Sequence, residues 1–98
     1  MAAVAWTEEA ERWLRDIHAY IAKENPRAAA QTVEGIHRKV HLLSEFPELG
    51  FRYQHAGNRN IRILLYGHYR IVYLIKPDRD VDILGVFHAA LDIDRYLI

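Results

Sequence analysis

The sequence predicts an α+β fold in which an N-terminal helical hairpin packs on a small antiparallel sheet. Three observations carry that prediction. Two amphipathic helical patterns are separated only by a short linker ending in Asn25-Pro26. Three short runs of β-branched and aromatic residues follow, between Asn60 and His88. Compact turn sequences, Gly67-His68 and Lys76-Pro77-Asp78-Arg79-Asp80, join those runs. Helices followed by sequential strands form an α+β layer pair, with the apolar helix stripes covering one sheet face.

The first helix is expected after Thr7, a good N-cap that places Glu8 and Glu9 in the positive first turn. Ala10, Trp13, Leu14, Ile17, Tyr20 and Ile21 recur at three- and four-residue spacing, one apolar stripe down a helix. Asn25 can cap a second helix and Pro26 suits its first position, so the first helix must stop by about Glu24. Ala29, Val33, Ile36, Val40 and Leu43 form the second stripe. Gly35, inside that helix, allows a close approach by another element. Phe46-Pro47-Glu48-Leu49-Gly50 ends the hairpin, with Phe46 and Leu49 expected inside the core. Val4-Ala5-Trp6 reads as a short edge strand.

The stretch from Gly50 to Asn58 is irregular, with Gly57 and Asn58 as turn residues. Asn60–Tyr66, Tyr69–Ile75 and Val81–His88 then read as an antiparallel meander. Residues 89–98 read as a loop or a short final helix. The expected core is Trp13, Leu14, Ile17, Ile21, Val33, Ile36, Val40 and Phe46 with Ile71 or Val72.

Ninety-eight residues suit one domain, 1–98, with a single core. No cysteine is present, which excludes disulfides and thiolate metal sites. Thirteen basic and thirteen acidic residues balance, so strong direct binding to a nucleic-acid backbone is not expected. The apolar runs are too short to span a bilayer and the first residues lack a secretory pattern, so a soluble cytoplasmic protein is expected.

Net neutrality hides an asymmetry. No Asp or Glu occurs between Gly50 and Pro77, yet Arg52, Arg59, Arg62, Arg70 and Lys76 do. A basic surface facing an acidic partner follows, with Tyr73 and His88 as further contact candidates. His37 and His41 have one-face helical spacing, but no glutamate stands between them in the His-Glu-x-x-His pattern and no third ligand is evident. They read as solvated helix residues, with no metal and no cofactor expected. Arg70, a cation in an apolar strand, and His88, an imidazole on the next strand, are the minimum for acid–base work on a phosphodiester. They do not suffice alone, and Asp92 is a third group of unknown orientation.

Trp6-Thr7-Glu8-Glu9-Ala10, Tyr20-Ile21-Ala22, Asn25-Pro26-Arg27-Ala28-Ala29, Phe46-Pro47-Glu48-Leu49-Gly50, Tyr69-Arg70-Ile71-Val72-Tyr73 and Val86-Phe87-His88 together resemble the RelE/ParE superfamily of plasmid-stabilisation toxins. The resemblance spans the chain and keeps motif order. It implies a toxin of a type II toxin–antitoxin module, neutralised in a hetero-oligomer by a cognate antitoxin that wraps it. Two activities divide the superfamily: RelE-type members cleave mRNA on the ribosome, and ParE-type members poison DNA gyrase. The C-terminal arginine common in the nuclease branch is absent, with Ala90 or Leu91 in its place, and the loop before the sheet offers no carboxylate, none occurring between Gly50 and Pro77. The hairpin and the Phe-Pro-x-x-Gly element look more like ParE. The expectation is therefore a gyrase-poisoning toxin that works by binding. The alternatives are a ribosome-dependent endonuclease using Arg70 and His88, or a weakened relative that only binds antitoxin.

Overall fold

The computed structural model describes residues 1–91 and 93–97; for Leu97 only the backbone is described. Its elements are β1 (Val4–Trp6), α1 (Glu8–Ala22), α2 (Pro26–His41), a 3-10 turn at Leu42–Ser44, β2 (Phe51–Arg52), β3 (Asn60–Tyr66), β4 (Tyr69–Ile75), β5 (Val81–His88) and α3 (Asp94–Leu97). The five strands form one sheet in the order β1-β5-β4-β3-β2.

Local chemistry sets the helix ends as expected. The Thr7 Oγ1 accepts from the Ala10 N–H at 3.1 Å, and the Asn25 Oδ1 accepts from the Ala28 N–H at 3.0 Å. Thr7 does more than cap, because its hydroxyl also donates to the Ile83 carbonyl at 2.7 Å. One side chain thus ends β1, starts α1 and ties both to β5.

The meander has the expected bounds, but the sheet is mixed. β1 joins β5 in parallel, Val4 opposite Val81 and Trp6 opposite Ile83. An apolar triplet carries no information about direction; the Thr7 anchor, which must deliver α1 to the helix side of the sheet, supplies it. Phe51 and Arg52 add a two-residue antiparallel strand opposite Ile63 and Arg62, within the stretch expected to be irregular.

Strand alternation sorts the core into two layers. Ile71, Tyr73 and Ile75 of β4, with Leu64 of β3 and Val81, Ile83 and Val86 of β5, face the helices and meet Leu14, Ile36 and Val40. Ile61, Ile63, Val72 and Phe87 face the other way and pack with Tyr53 and Ile93. A bulge leaves Leu84 without a partner between Ile83 and Gly85. Gly85 leaves room for a ring beside it: a Cβ there would sit 2.6 Å from the Phe87 ring. Gly35 has a similar role, because a Cβ on it would lie 1.8 Å from the Tyr66 hydroxyl. The close approach expected at that glycine is this tyrosine.

Leu14, Ile36, Val40, Ile71 and Val72 are buried as expected, whereas Trp13, Ile17, Ile21 and Val33 are half-buried. Two expectations fail. Phe46 is 54% exposed and Leu49 is 47% exposed. The backbone of this turn, rather than its side chains, is what the protein holds inward. Residues 94–97 form the short final helix, and Asp92 lies outside the described residues.

Candidate functional site

The cations of the acid-free stretch do not share one surface. Arg62, opposite Tyr73 on the helix side, turns inward. Its Nη1 donates to the carbonyls of Gly50 (2.9 Å) and Glu48 (3.4 Å), and its Nε donates to Asn60 Oδ1 (3.2 Å). The Tyr73 hydroxyl donates to the Pro47 carbonyl at 2.6 Å and accepts from the Gly50 N–H at 2.8 Å. Together they pin Pro47–Gly50 against the sheet end. Gly50 must be glycine there, since a Cβ would fall 2.7 Å from the Ile63 carbonyl oxygen. A third fastener is the Arg79 guanidinium, 2.7 Å from Glu48 Oε1. Its hydrogen bond and charge, with Arg62 adding a smaller push, hold the Glu48 carboxyl below the usual carboxylate range.

Tyr73 was a contact candidate, but it is fully buried and presents no surface. Burial pushes its phenol up, so it is no proton acceptor near neutral pH. Arg52 is exposed at the β2 edge, and Arg59 sits on the β2–β3 loop beside a cleft of about 460 Å³ with Trp13, Phe87 and Tyr96.

Arg70 and His88 are separated by strand parity. Arg70 stands opposite Phe87, and His88 stands opposite Tyr69. Arg70 shares its face with Val72 and Leu74, opposite the face that meets Leu14, Ile36 and Val40. His88 faces the other side, its ring 5.6 Å from Tyr69 and 6.2 Å from His68. Tyr69 belongs to the helix-side layer. The His88 Nδ1 accepts from the Ala90 N–H at 3.1 Å, so its proton is on Nε2 in the neutral ring. The two side chains therefore leave the sheet on opposite faces, at the same end of the β4–β5 pair. Leu91, with Ala90 one of the two residues expected in place of a C-terminal arginine, packs against the layer around Phe87 and Ile93.

His37 and His41 are both exposed, with His37 5.1 Å from the Trp6 ring. Among the described residues no group of three His, Asp or Glu side chains could hold a metal ion. No described helix is long and apolar enough to cross a membrane.

Comparison with known proteins places this architecture. The family described as "ParE toxin of type II toxin-antitoxin system, parDE" matches residues 4–93. The chain belongs to the ParE toxin family. It is also 41% identical over 86 residues, 88% of its own length and 86% of the relative's, to the Sinorhizobium fredii protein Y4kP, which carries the name of a toxin. Among solved structures, the chromosomal ParDE system of P. aeruginosa superposes with a TM-score of 0.74 at 21% identity, over 90% of this chain and 96% of that one. The RelBE2 toxin–antitoxin complex of Mycobacterium tuberculosis gives 0.60 at 28% identity, over 89% and 96%. A mutant E. coli RelE in the free state gives 0.66 at 18% identity, over 99% and 94%. The ParE-family chain thus shares its fold with toxins of both the ParE and RelE kinds.

Sequence reading missed one region. The last turns of α2 and the end of β3 frame a cleft of about 630 Å³ lined by Gly35, Lys39, His41, Leu42 and Tyr66, among others. Gly35 was the available signal. Which residue approached it depends on strand packing that no local pattern encodes.

Proposed function

We propose that this chain is the toxin of a type II toxin–antitoxin pair that acts by binding, poisons DNA gyrase and is silenced by a cognate antitoxin. The observation that carries the reading is the placement of Arg70 and His88 on opposite sheet faces. Phosphodiester cleavage needs a base, an acid and a cation around one phosphate. Without that convergence, membership of the ParE family favours the activity of the ParE branch, the trapping of gyrase on cleaved DNA.

The test begins with expression in a bacterial host. Fragments of the source genome that restore growth identify the antitoxin. The purified chain is then added to gyrase, with supercoiling and cleaved-complex formation as readouts. Loss of supercoiling with accumulated cleaved DNA, reversed by the antitoxin, is expected. Growth arrest with gyrase fully active would overturn the target. Absence of growth arrest would overturn the toxin reading itself.

A further inference from the structure

We infer that this chain pairs with a second copy of itself, edge to edge along β1, in a weak closed dimer. The bonds of β1 show which of its backbone groups are already used. The Ala3 carbonyl accepts from the Val81 N–H at 2.9 Å, and the Thr7 N–H donates to the Ile83 carbonyl at 3.2 Å. Ala3, Ala5 and Thr7 therefore bond toward β5, and the period of two turns the N–H and C=O of Val4 and Trp6 to the open side. Ser44 closes this edge at one end: its carbonyl accepts from the Ala2 N–H and its hydroxyl donates to the Ala2 carbonyl, each at 2.8 Å. The helix α1 closes the other end from Glu8 onward. Between them, no described residue bonds the outward groups of Val4 or Trp6.

Open edges accept another strand, and protected ones carry a charge, a proline or a bulge. None of these stands between Ala2 and Trp6. No charged side chain precedes Thr7, so nothing in the segment repels an identical one or recruits a charged one. The edge also complements itself. With Val4 opposite Val4 of an antiparallel copy, Trp6 would meet Ala2, whose groups Ser44 already holds. With Trp6 opposite Trp6, Val4 would meet Glu8, which belongs to α1. With Val4 opposite Trp6, every outward group is paired, two bonds to each pair, and Ala5 faces Ala5 on the two-fold axis. Val4 and Trp6 lie on the helix side, where they border a hollow of about 460 Å³ with His37, Val40 and Ser44. Each Trp6 ring would lie beside the Val4 of its mate, a favourable aromatic–β-branched cross-strand pairing. Ala3 and Ala5 are exposed on the other face and small enough for the copies to close. Asp82 stands opposite Ala5 on β5, so the two Asp82 carboxylates would be three strand spacings apart, about 14 Å, and screened by salt. One short strand from each copy buries well under the roughly 1,200–2,000 Å² of a stable interface, so the pair dissociates on dilution. Use of the same edge by both copies closes the assembly and leaves β2 at its outer ends.

The test is sedimentation of the purified chain from micromolar to millimolar concentration, with amide hydrogen exchange read at Val4 and Trp6. The average mass should rise toward that of two chains, and exchange at both amides should slow by about tenfold or more over the same range. Ala5→Glu sets two carboxylates opposite each other on the axis and should stay monomeric where the wild type pairs. Mixing Ala5→Glu with Ala5→Lys should restore the pairing, and thermal unfolding shows that each variant is folded. A monomer at every concentration would overturn the inference. So would a dimer that Ala5→Glu leaves intact, or a mixture of the two variants that stays monomeric. Protection at Val4 and Trp6 that does not change with concentration would mean that the chain covers its own edge, and would overturn it equally.

Discussion

Arg62 and Arg70 come from the same acid-free stretch, stand on neighbouring strands and have apolar neighbours, yet they do different things. Arg62 faces the helix side at the sheet end and is consumed by the carbonyls of Glu48 and Gly50. Arg70 faces outward beside Val72, with no described carboxylate near it. Parity along a strand decides between them: position 62 shares its face with Tyr73, and position 70 with Leu65. A cation in a strand is therefore evidence of function only once its face is known. Both sheet faces carry a buried core layer; Arg62 is spent inside the fold, whereas Arg70 stands opposite the exposed Leu65.

The largest effect that tests this division is a pair of truncations. Ile71→Ala, on the fully buried helix side, should cost about 2–5 kcal/mol in denaturant unfolding. Leu65→Ala, on the outer face, should stay within about 0.5 kcal/mol. Equal losses would erase the distinction.

A smaller contrast separates the two arginines. Arg62→Ala leaves part-buried carbonyls of the Pro47–Gly50 turn without donors and should cost about 1–3 kcal/mol. Arg70→Ala should cost clearly less, near the 0.5 kcal/mol typical of surface positions. If Arg70→Ala destabilised more in the same unfolding assay, the outward cation would be structural after all.

The smallest effect concerns Glu48. Its carboxyl is depressed by Arg79 and Arg62, so the stabilisation it brings is present above the ordinary carboxylate range. That contribution is lost as pH falls through the depressed value. The Tm difference between the wild type and Glu48→Gln should therefore shrink between pH 6 and pH 3. A difference that widened on acidification would have the wrong sign.

Much of the fold was legible because its signals are local. The Thr7 and Asn25 caps, the Pro26 start and the three strand runs depend on residues close in sequence, and each forms where expected. Phe46 and Leu49 read as core because apolar character is the only local signal they carry. The bonds that turn them outward come from Arg62, Tyr73 and Arg79 and span 12 to 31 positions in sequence. For the same reason Tyr73 read as a contact residue, although its hydroxyl is the pin of that turn. The parallel direction of β1 was invisible, since three residues hold no direction. The open edge at Val4 and Trp6 was invisible too, because an unpaired backbone group is a property of what lies beside a strand.

The central claim is that Arg70 and His88 do not act together on RNA. Its most direct test maps mRNA 5′ ends during translation in the presence of the wild-type chain, Arg70→Ala and His88→Ala. The structure predicts no codon-phased cuts above background for any of the three. Phased cuts by the wild type that vanish equally in both variants would show the two side chains working as one unit, and would contradict the account.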